Sequence, residues 1–315
     1  MIVSASRRTD IPAFYSSWLL NRLREGYVLV PNPRNLLNYS RVELRPETVD
    51  CFVFWTKNPA PMLPKLNEIA AMGYPFYFQF TLTPYDREIE KYLPSKTILI
   101  QTFRDLSRLI GAEKVIWRYD PIICTKQINS SWHLEQFNKI AAALEGYTNR
   151  CIFSFVDFYA KIRKNLQNTA LIQMQESAML RIAEGFSKIA RKHKIRLATC
   201  CEAIELQQYG IEHAACIDAK LIENILGCSV RSKKDTNQRP GCGCMESVEI
   251  GTYDSCPHGC IYCYAASSTQ SGQYRAAFHA PTAPVLLGPI PKAAVITKKK
   301  MLSVKEQCQR LFFIP

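Results

Sequence analysis

Short apolar runs alternate with longer amphipathic stretches over the first two thirds of the chain. Residues 2–6, 51–56, 76–83, 115–119, 151–156 and 195–201 are apolar and rich in β-branched or aromatic side chains. That is the pattern of strands buried on both faces. Between them, residues 14–25, 62–72, 96–110, 132–144 and 175–193 carry apolar positions at steps of three and four, as in Leu180, Ile182, Phe186 and Ile189. Gly26, Gly73, Gly111 and Gly146 stand just past four of these stretches, where helices stop. The alternation predicts an α/β fold with a parallel sheet and right-handed crossovers.

Polar groups follow the strand-like runs directly: Arg7, Arg8 and Asp10; Lys57 and Asn58; Thr81 and Thr83; Arg118 and Asp120; Asp157; Glu202. Polar strand ends gathered at one face are what the mouth of a (β/α) barrel requires. The expected architecture is a TIM-like barrel, full or partial. Beyond Glu202 the pattern loosens. A short helix is expected over 218–226, a loop over 231–239, a seventh strand over 248–253 and a terminal helix over 304–312. Residues 1–230 are expected to carry the (β/α) units. Residues 231–315 form a C-terminal segment that completes the same barrel.

The 315 residues are 47% hydrophobic and 21% charged, a globular composition. No apolar stretch approaches the roughly 20 residues needed to span a bilayer, and the first ten residues hold no signal-peptide core. A cytoplasmic protein without membrane association is therefore expected. The net charge of +13 favours anionic partners, such as nucleic acid, anionic cofactors or phosphorylated substrates.

The 13 cysteines change the picture most. An odd number in a long, reducing-compartment chain argues against a disulfide scaffold and for metal or catalysis. Cys51, Cys124 and Cys151 sit in or beside apolar runs and read as core. The other ten lie from Cys200 onward. The densest group is Cys256-Pro257-His258-Gly259-Cys260-Ile261-Tyr262-Cys263, a CxxxCxxC. Three thiolates so close together can wrap one face of a cubane-sized cluster and leave one iron open. A structural zinc site commonly uses four ligands in CxxC pairs.

The CxxxCxxC spacing with Tyr262 before its last cysteine resembles the signature of the radical S-adenosylmethionine enzymes. The resemblance implies that Cys256, Cys260 and Cys263 hold a [4Fe–4S] cluster and that S-adenosylmethionine binds the open iron. Reductive cleavage then yields a 5′-deoxyadenosyl radical that abstracts hydrogen from a substrate. It also implies that Tyr262 packs near the adenine, and that a reductant such as flavodoxin or ferredoxin supplies the electron. The superfamily usually carries this loop after its first strand. Here it follows six, so the order is permuted, with 248–253 as the preceding strand. The chain from Ser4-Ala5-Ser6-Arg7-Arg8-Thr9-Asp10 to Cys256–Ala265 also resembles an uncharacterised bacterial family classed only as a domain of unknown function.

A second group, Cys201 (or Cys200), Cys216, Cys242 and Cys244, makes a complete four-thiolate set. It suits an auxiliary iron–sulfur cluster; zinc and unrelated free thiols are the other readings. Cys228 is a spare ligand, and Cys308 reads as packing. Arg7, Arg8 and Asp10, and likewise Arg118 and Asp120, suit S-adenosylmethionine: arginine clamps a carboxylate, and aspartate accepts from a ribose hydroxyl. Structural ion pairs are the plainer alternative. His258 is expected to hydrogen-bond backbone, His133 and His193 to be on the surface, and His213 and His279 to have no recognisable partner. Two other functions remain open: a nucleic-acid repair or modification enzyme resembling spore photoproduct lyase, and a non-catalytic iron–sulfur or zinc protein.

Overall fold

The computed structural model describes residues 1–157 and 171–306. In chain order the described strands are β1 (Ile2–Ala5), β2 (Tyr27–Asn32), β3 (Asn35–Glu43), β4 (Cys51–Thr56), β5 (Phe76–Thr81) and β6 (Val115–Ile122). They continue with β7 (Arg150–Phe155), β8 (Arg196–Thr199), β9 (Glu212–His213), β10 (Ser247–Glu249) and β11 (Val295–Lys298). Eight of them form one sheet in the order β10-β1-β4-β5-β6-β7-β8-β9, parallel throughout. The expected seventh strand is thus real but shorter. It enters at the N-terminal end of the order, pairing Val248 with Val3.

Period-two alternation gives this sheet two buried faces. Val3, Phe52, Phe54, Phe78, Phe80, Trp117, Tyr119 and Phe153 pack outward against the helices Ser16–Glu25, Lys96–Ile110, Ser130–Ala143 and Glu176–Lys192. Phe137 and Phe186 stack there at 3.8 Å between ring centroids. The alternate residues Ile2, Cys51, Val53, Tyr77, Ile116, Ile152 and Ala198 form a second cluster. It is filled by Cys216, Ile217 and Ile222, which follow β9, and by Met245, which precedes β10. Among the described residues no ladder joins β9 to β10. The two ends meet instead where Met245 N–H donates to Ile217 O at 3.1 Å.

A three-stranded sheet, β11-β3-β2, was not expected from the sequence. Pro31 and Pro33 interrupt the apolar run of β2, which hides a hairpin whose register shifts at Pro31/Asn32. The C-terminal segment straps over the helix Ser16–Glu25. Trp18 Nε1 donates to Ala283 O at 2.9 Å, Arg22 Nη2 to Thr282 O at 2.9 Å, and Leu29 N–H to Pro284 O at 2.8 Å. The expected terminal helix does not begin within residues 304–306; the remainder of it, with Cys308, lies outside the described residues.

His133 and His193 are buried, contrary to the surface positions expected of them. The helix Ser130–Ala143 turns His133 toward the sheet, where its ring nitrogens meet Tyr119 Oη at 2.9 Å and Ile123 O at 2.8 Å. Burial pushes its pKa down to about 4. His193 Nδ1 lies 3.0 Å from Glu145 Oε2. No helix among the described residues is long and apolar enough to cross a membrane.

Candidate metal and cofactor site

At the C-terminal ends of the parallel strands lies a cavity of about 590 Å³. Its wall contains Arg7, Arg8 and Asp10 after β1, Arg118 and Asp120 of β6, and Cys201 after β8. Cys216, Cys242, Cys244, Cys256, Cys260, Tyr262 and Cys263 complete the set. These expected site residues therefore all line one space, while the spare ligand candidate Cys228 does not.

The CxxxCxxC loop is tied to the strand ends by two buried carboxylates. Asp10 Oδ2 accepts from His258 Nε2 at 2.8 Å and from Lys57 N–H at 2.7 Å, while its Oδ1 caps the following helix through Ala13 N–H at 2.9 Å. His258 thus bonds a carboxylate rather than backbone. The cause is that β1 and the loop are neighbours through β10, which brings Asp10 beneath the loop. Asp10 itself is consumed in this anchoring.

Glu90 is the second anchor, and only 1% of it is exposed. It accepts from the Tyr262 hydroxyl, from Thr83 Oγ1 at 2.7 Å, from Lys57 Nζ at 2.7 Å and from Lys96 Nζ at 2.5 Å. Burial would raise its pKa, but the two ammonium groups outweigh burial and hold it at about 2. Backbone bonds complete the frame: Ile261 N–H to Ile89 O and Tyr92 N–H to His258 O, both at 3.1 Å. Gly259 has φ +67°, and a Cβ there would stand 2.7 Å from the Tyr92 ring, so the turn requires glycine. Burial raises the Cys256 thiol well up and Cys260 to about 12. A cation between them would reverse that.

The second cysteine group is also brought together, with one change. Cys200 Sγ, not Cys201 Sγ, lies 3.3 Å from Cys216 Sγ. Alternation explains it: Cys200 shares the inner face with Ala198, whereas Cys201 adopts φ +58° and turns toward Gly241. Hydrogen bonding with Cys216 and with Cys242 draws the Cys244 thiol strongly down. Ile217 N–H points at Cys244 Sγ at 3.4 Å. Among the described residues no group of three or more His, Cys, Asp or Glu side chains is arranged to hold a metal ion.

Arginines flank both groups. Arg118 Nη1 reaches Cys216 Sγ at 2.8 Å, while its Nη2 and Nε hold Asp120 Oδ2 at 2.5 and 3.2 Å. Ser154 donates to the other Asp120 oxygen. Arg7 and Arg118 each lie 5.3 Å from the centroid of Trp55. Arg7 N–H bonds Glu249 Oε2 at 2.9 Å, and Arg8 lies 4.8 Å over Tyr253. Trp55, Glu90 and Ser154 were missed as site residues by sequence reasoning, Cys200 was named only as the alternative to Cys201, and Lys57 was noticed only as a strand end. Glu90 carries no sequence signal, being one acid in an irregular segment.

His213 and His279 do have partners: Glu205 Oε2 at 3.3 Å and Leu286 O at 2.8 Å. The profile of a family described as "Domain of unknown function (DUF1848)" matches residues 2–265. No curated protein and no solved structure matches the chain.

Proposed function

The chain belongs to this DUF1848 family, and on that premise we propose that it is a radical S-adenosylmethionine enzyme. Cys256, Cys260 and Cys263 are read as the ligands of a [4Fe–4S] cluster, and the parallel sheet as a partial (β/α) barrel. The observation that carries the proposal is the shared cavity: three thiols of one loop, with arginines and a carboxylate from different strand ends, line a single space.

The donor set fits the group. Three thiols leave a cubane one iron short of protein ligands, and the loop is held through the His258 and Tyr262 side chains by Asp10 and Glu90 rather than by the metal alone. When bound, the cluster and S-adenosylmethionine would supply the radical that abstracts hydrogen, since cofactors carry such chemistry. The chain's own part is binding, orientation and exclusion of water. Arg7 and Arg8 are the cations at the cavity wall after β1 and suit a carboxylate of the cofactor or substrate. Tyr262 lines the cavity with its hydroxyl fixed on Glu90 and its ring edge-on to Tyr85 at 6.1 Å, so the ring is held in place. Asp10, with its oxygens engaged, positions the loop instead of meeting a ribose.

A nucleic-acid substrate draws support from the net charge of +13 and from Lys298, Lys299 and Lys300, all exposed at and beyond the end of β11. None of these lysines lines the cavity.

The test uses anaerobically purified protein, with iron and sulfide quantified per chain. Dithionite and S-adenosylmethionine are then added, and 5′-deoxyadenosine is measured. The wild type should form it, and the Cys256→Ala/Cys260→Ala/Cys263→Ala variant should not. A wild type that holds iron in this loop yet never cleaves S-adenosylmethionine, with cell extract present as a source of substrate, would sink the proposal.

A further inference from the structure

We propose that Cys200, Cys216, Cys242 and Cys244 hold a second thiolate-bound metal centre in the same cavity, independent of the CxxxCxxC loop. Four thiols from three separate segments line that cavity: the end of β8, the turn after β9 and the approach to β10. Cys200 and Cys216 approach to 3.3 Å without forming a disulfide. All four border the apolar cluster that holds Cys51, but unlike Cys51 and Cys151, which read as packing, they also line the cavity.

Three further observations favour a ligand set. The first is rigid support. The Cys216 carbonyl accepts from Tyr77 Oη at 2.7 Å and Gln79 Nε2 at 2.8 Å, so β5 fixes the position of its thiol. The second is charge. Four thiolates around a metal leave surplus negative charge, which in a buried place needs cations. Arg118 already donates to Cys216 Sγ at 2.8 Å, and Arg7 lies where the Cys244 charge acts on it. Outer groups of this kind orient and tune metal ligands.

The third is the loop that carries Cys242 and Cys244. Residues 231–246 contain no helix and only an isolated bridge between Lys234 and Met245. The segment is held by bonds such as Asp235 N–H to Cys244 O at 2.9 Å and Glu246 N–H to Lys233 O at 2.7 Å, and its only buried residues are Asp235, Cys244 and Met245. A segment with so little core of its own is stabilised when metal binding supplies folding free energy. Cys200 and Cys216 stand as a hydrogen-bonded thiol pair at 3.3 Å. Loading exchanges those thiol protons for metal–sulfur bonds, and the protons leave to solvent.

The shared ligand chemistry is a thiophilic metal, as an iron–sulfur cluster or as zinc. The experiment measures iron, sulfide and zinc per chain in the Cys256→Ala/Cys260→Ala/Cys263→Ala variant, alone and combined with Cys242→Ser or Cys200→Ser. Both serine positions are only partly buried, which keeps the fold testable. Folding is followed by circular dichroism and urea unfolding. The triple variant should retain either about four irons with matching sulfide or about one zinc. Each added serine should lower that content severalfold while the variant stays folded. A folded triple variant without iron, sulfide or zinc overturns the proposal, as does metal that survives both serines. Failure of the radical reading looks different: the second centre would remain while the wild type gained no metal from the CxxxCxxC loop or formed no 5′-deoxyadenosine.

Discussion

Asp10 and His258 are 248 positions apart in the chain, yet Oδ2 of one accepts from Nε2 of the other at 2.8 Å, with both side chains almost wholly buried. The bond joins the turn after the first strand to the middle of the cysteine loop. The same carboxylate also accepts from Lys57 N–H and caps a short helix. One side chain therefore sets the distance between three segments of the cavity wall.

Replacing Asp10 should show this joint role. Asp10→Ala removes a helix cap, worth about 1 kcal/mol. It also leaves the buried His258 and Lys57 donors unpaired, at about 1–3 kcal/mol for such a group. The expected loss is about 3 kcal/mol in urea unfolding, with a parallel fall in iron retained by Cys256, Cys260 and Cys263. Asp10→Asn keeps an acceptor oxygen and should lose less on both measures. Equal behaviour of the two variants would show that the carboxylate does not hold the loop.

Glu90 gives the site an acid limit. Its pKa is depressed in the folded chain, from an ordinary 4.5 to about 2. A depressed carboxylate contributes stability that is complete above the unfolded value and is lost as pH falls toward the folded one. The window is therefore about pH 4.5 down to 2. The contribution is about 3 kcal/mol, from 1.36 kcal/mol per tenfold change in proton affinity. Urea midpoints measured across that window should fall more steeply for the wild type than for Glu90→Gln, which has nothing to protonate. Parallel curves would remove Glu90 as the loop's electrostatic anchor.

The sequence made the strands and the cavity wall legible because both follow from short-range pattern. Short apolar runs identified the parallel strands, and most of the polar residues at their ends proved to share one space, though Asn58, Thr83 and Glu202 do not line it. The CxxxCxxC loop was legible through its spacing alone. What stayed hidden depends on contacts distant in the chain. His133 lies on a helix whose apolar stripe leaves its direction ambiguous, and only Tyr119 and Ile123 show it to be inside. Glu90 reads as a solvated loop acid until Tyr262, Lys57 and Lys96 close around it. The choice between Cys200 and Cys201 could have been made by extending the alternation of Ala198 one step further. The hairpin of β2 and β3 was masked by Pro31 and Pro33.

His133 offers a second pH signature, at milder acidity. Burial lowers its pKa from 6.5 to about 4, so the folded chain keeps the ring neutral. The unfolded chain takes up a proton first as pH falls. Stability associated with the neutral ring is thus complete above about pH 6.5 and declines toward pH 4. An NMR titration of the ring in the folded protein should find it still neutral at about pH 5.5. A midpoint at the ordinary value would mean that the ring is not enclosed between Tyr119 and Ile123.

Arg118 presents three nitrogens to two acceptors, and this predicts how its substitutions differ. Nε and Nη2 grip Asp120, while Nη1 is left for Cys216. A lysine ammonium is a single centre and cannot reproduce that fork. Arg118→Lys should therefore lose stability even though the charge is kept, and Arg118→Met should lose more, about 3–5 kcal/mol, because Asp120 is left buried with only Ser154 as a partner. Adding Asp120→Asn to Arg118→Met removes the stranded charge, so the double variant should be more stable than the sum of the single losses. The coupling expected for such neighbours is about 1–3 kcal/mol. Additive losses in urea unfolding would show that the pair acts as two independent groups. The metal content of the second centre should follow a different order. It depends on the cation beside Cys216, so Asp120→Asn with Arg118 intact should retain metal, and Arg118→Met should lose it whether or not Asp120 is also replaced.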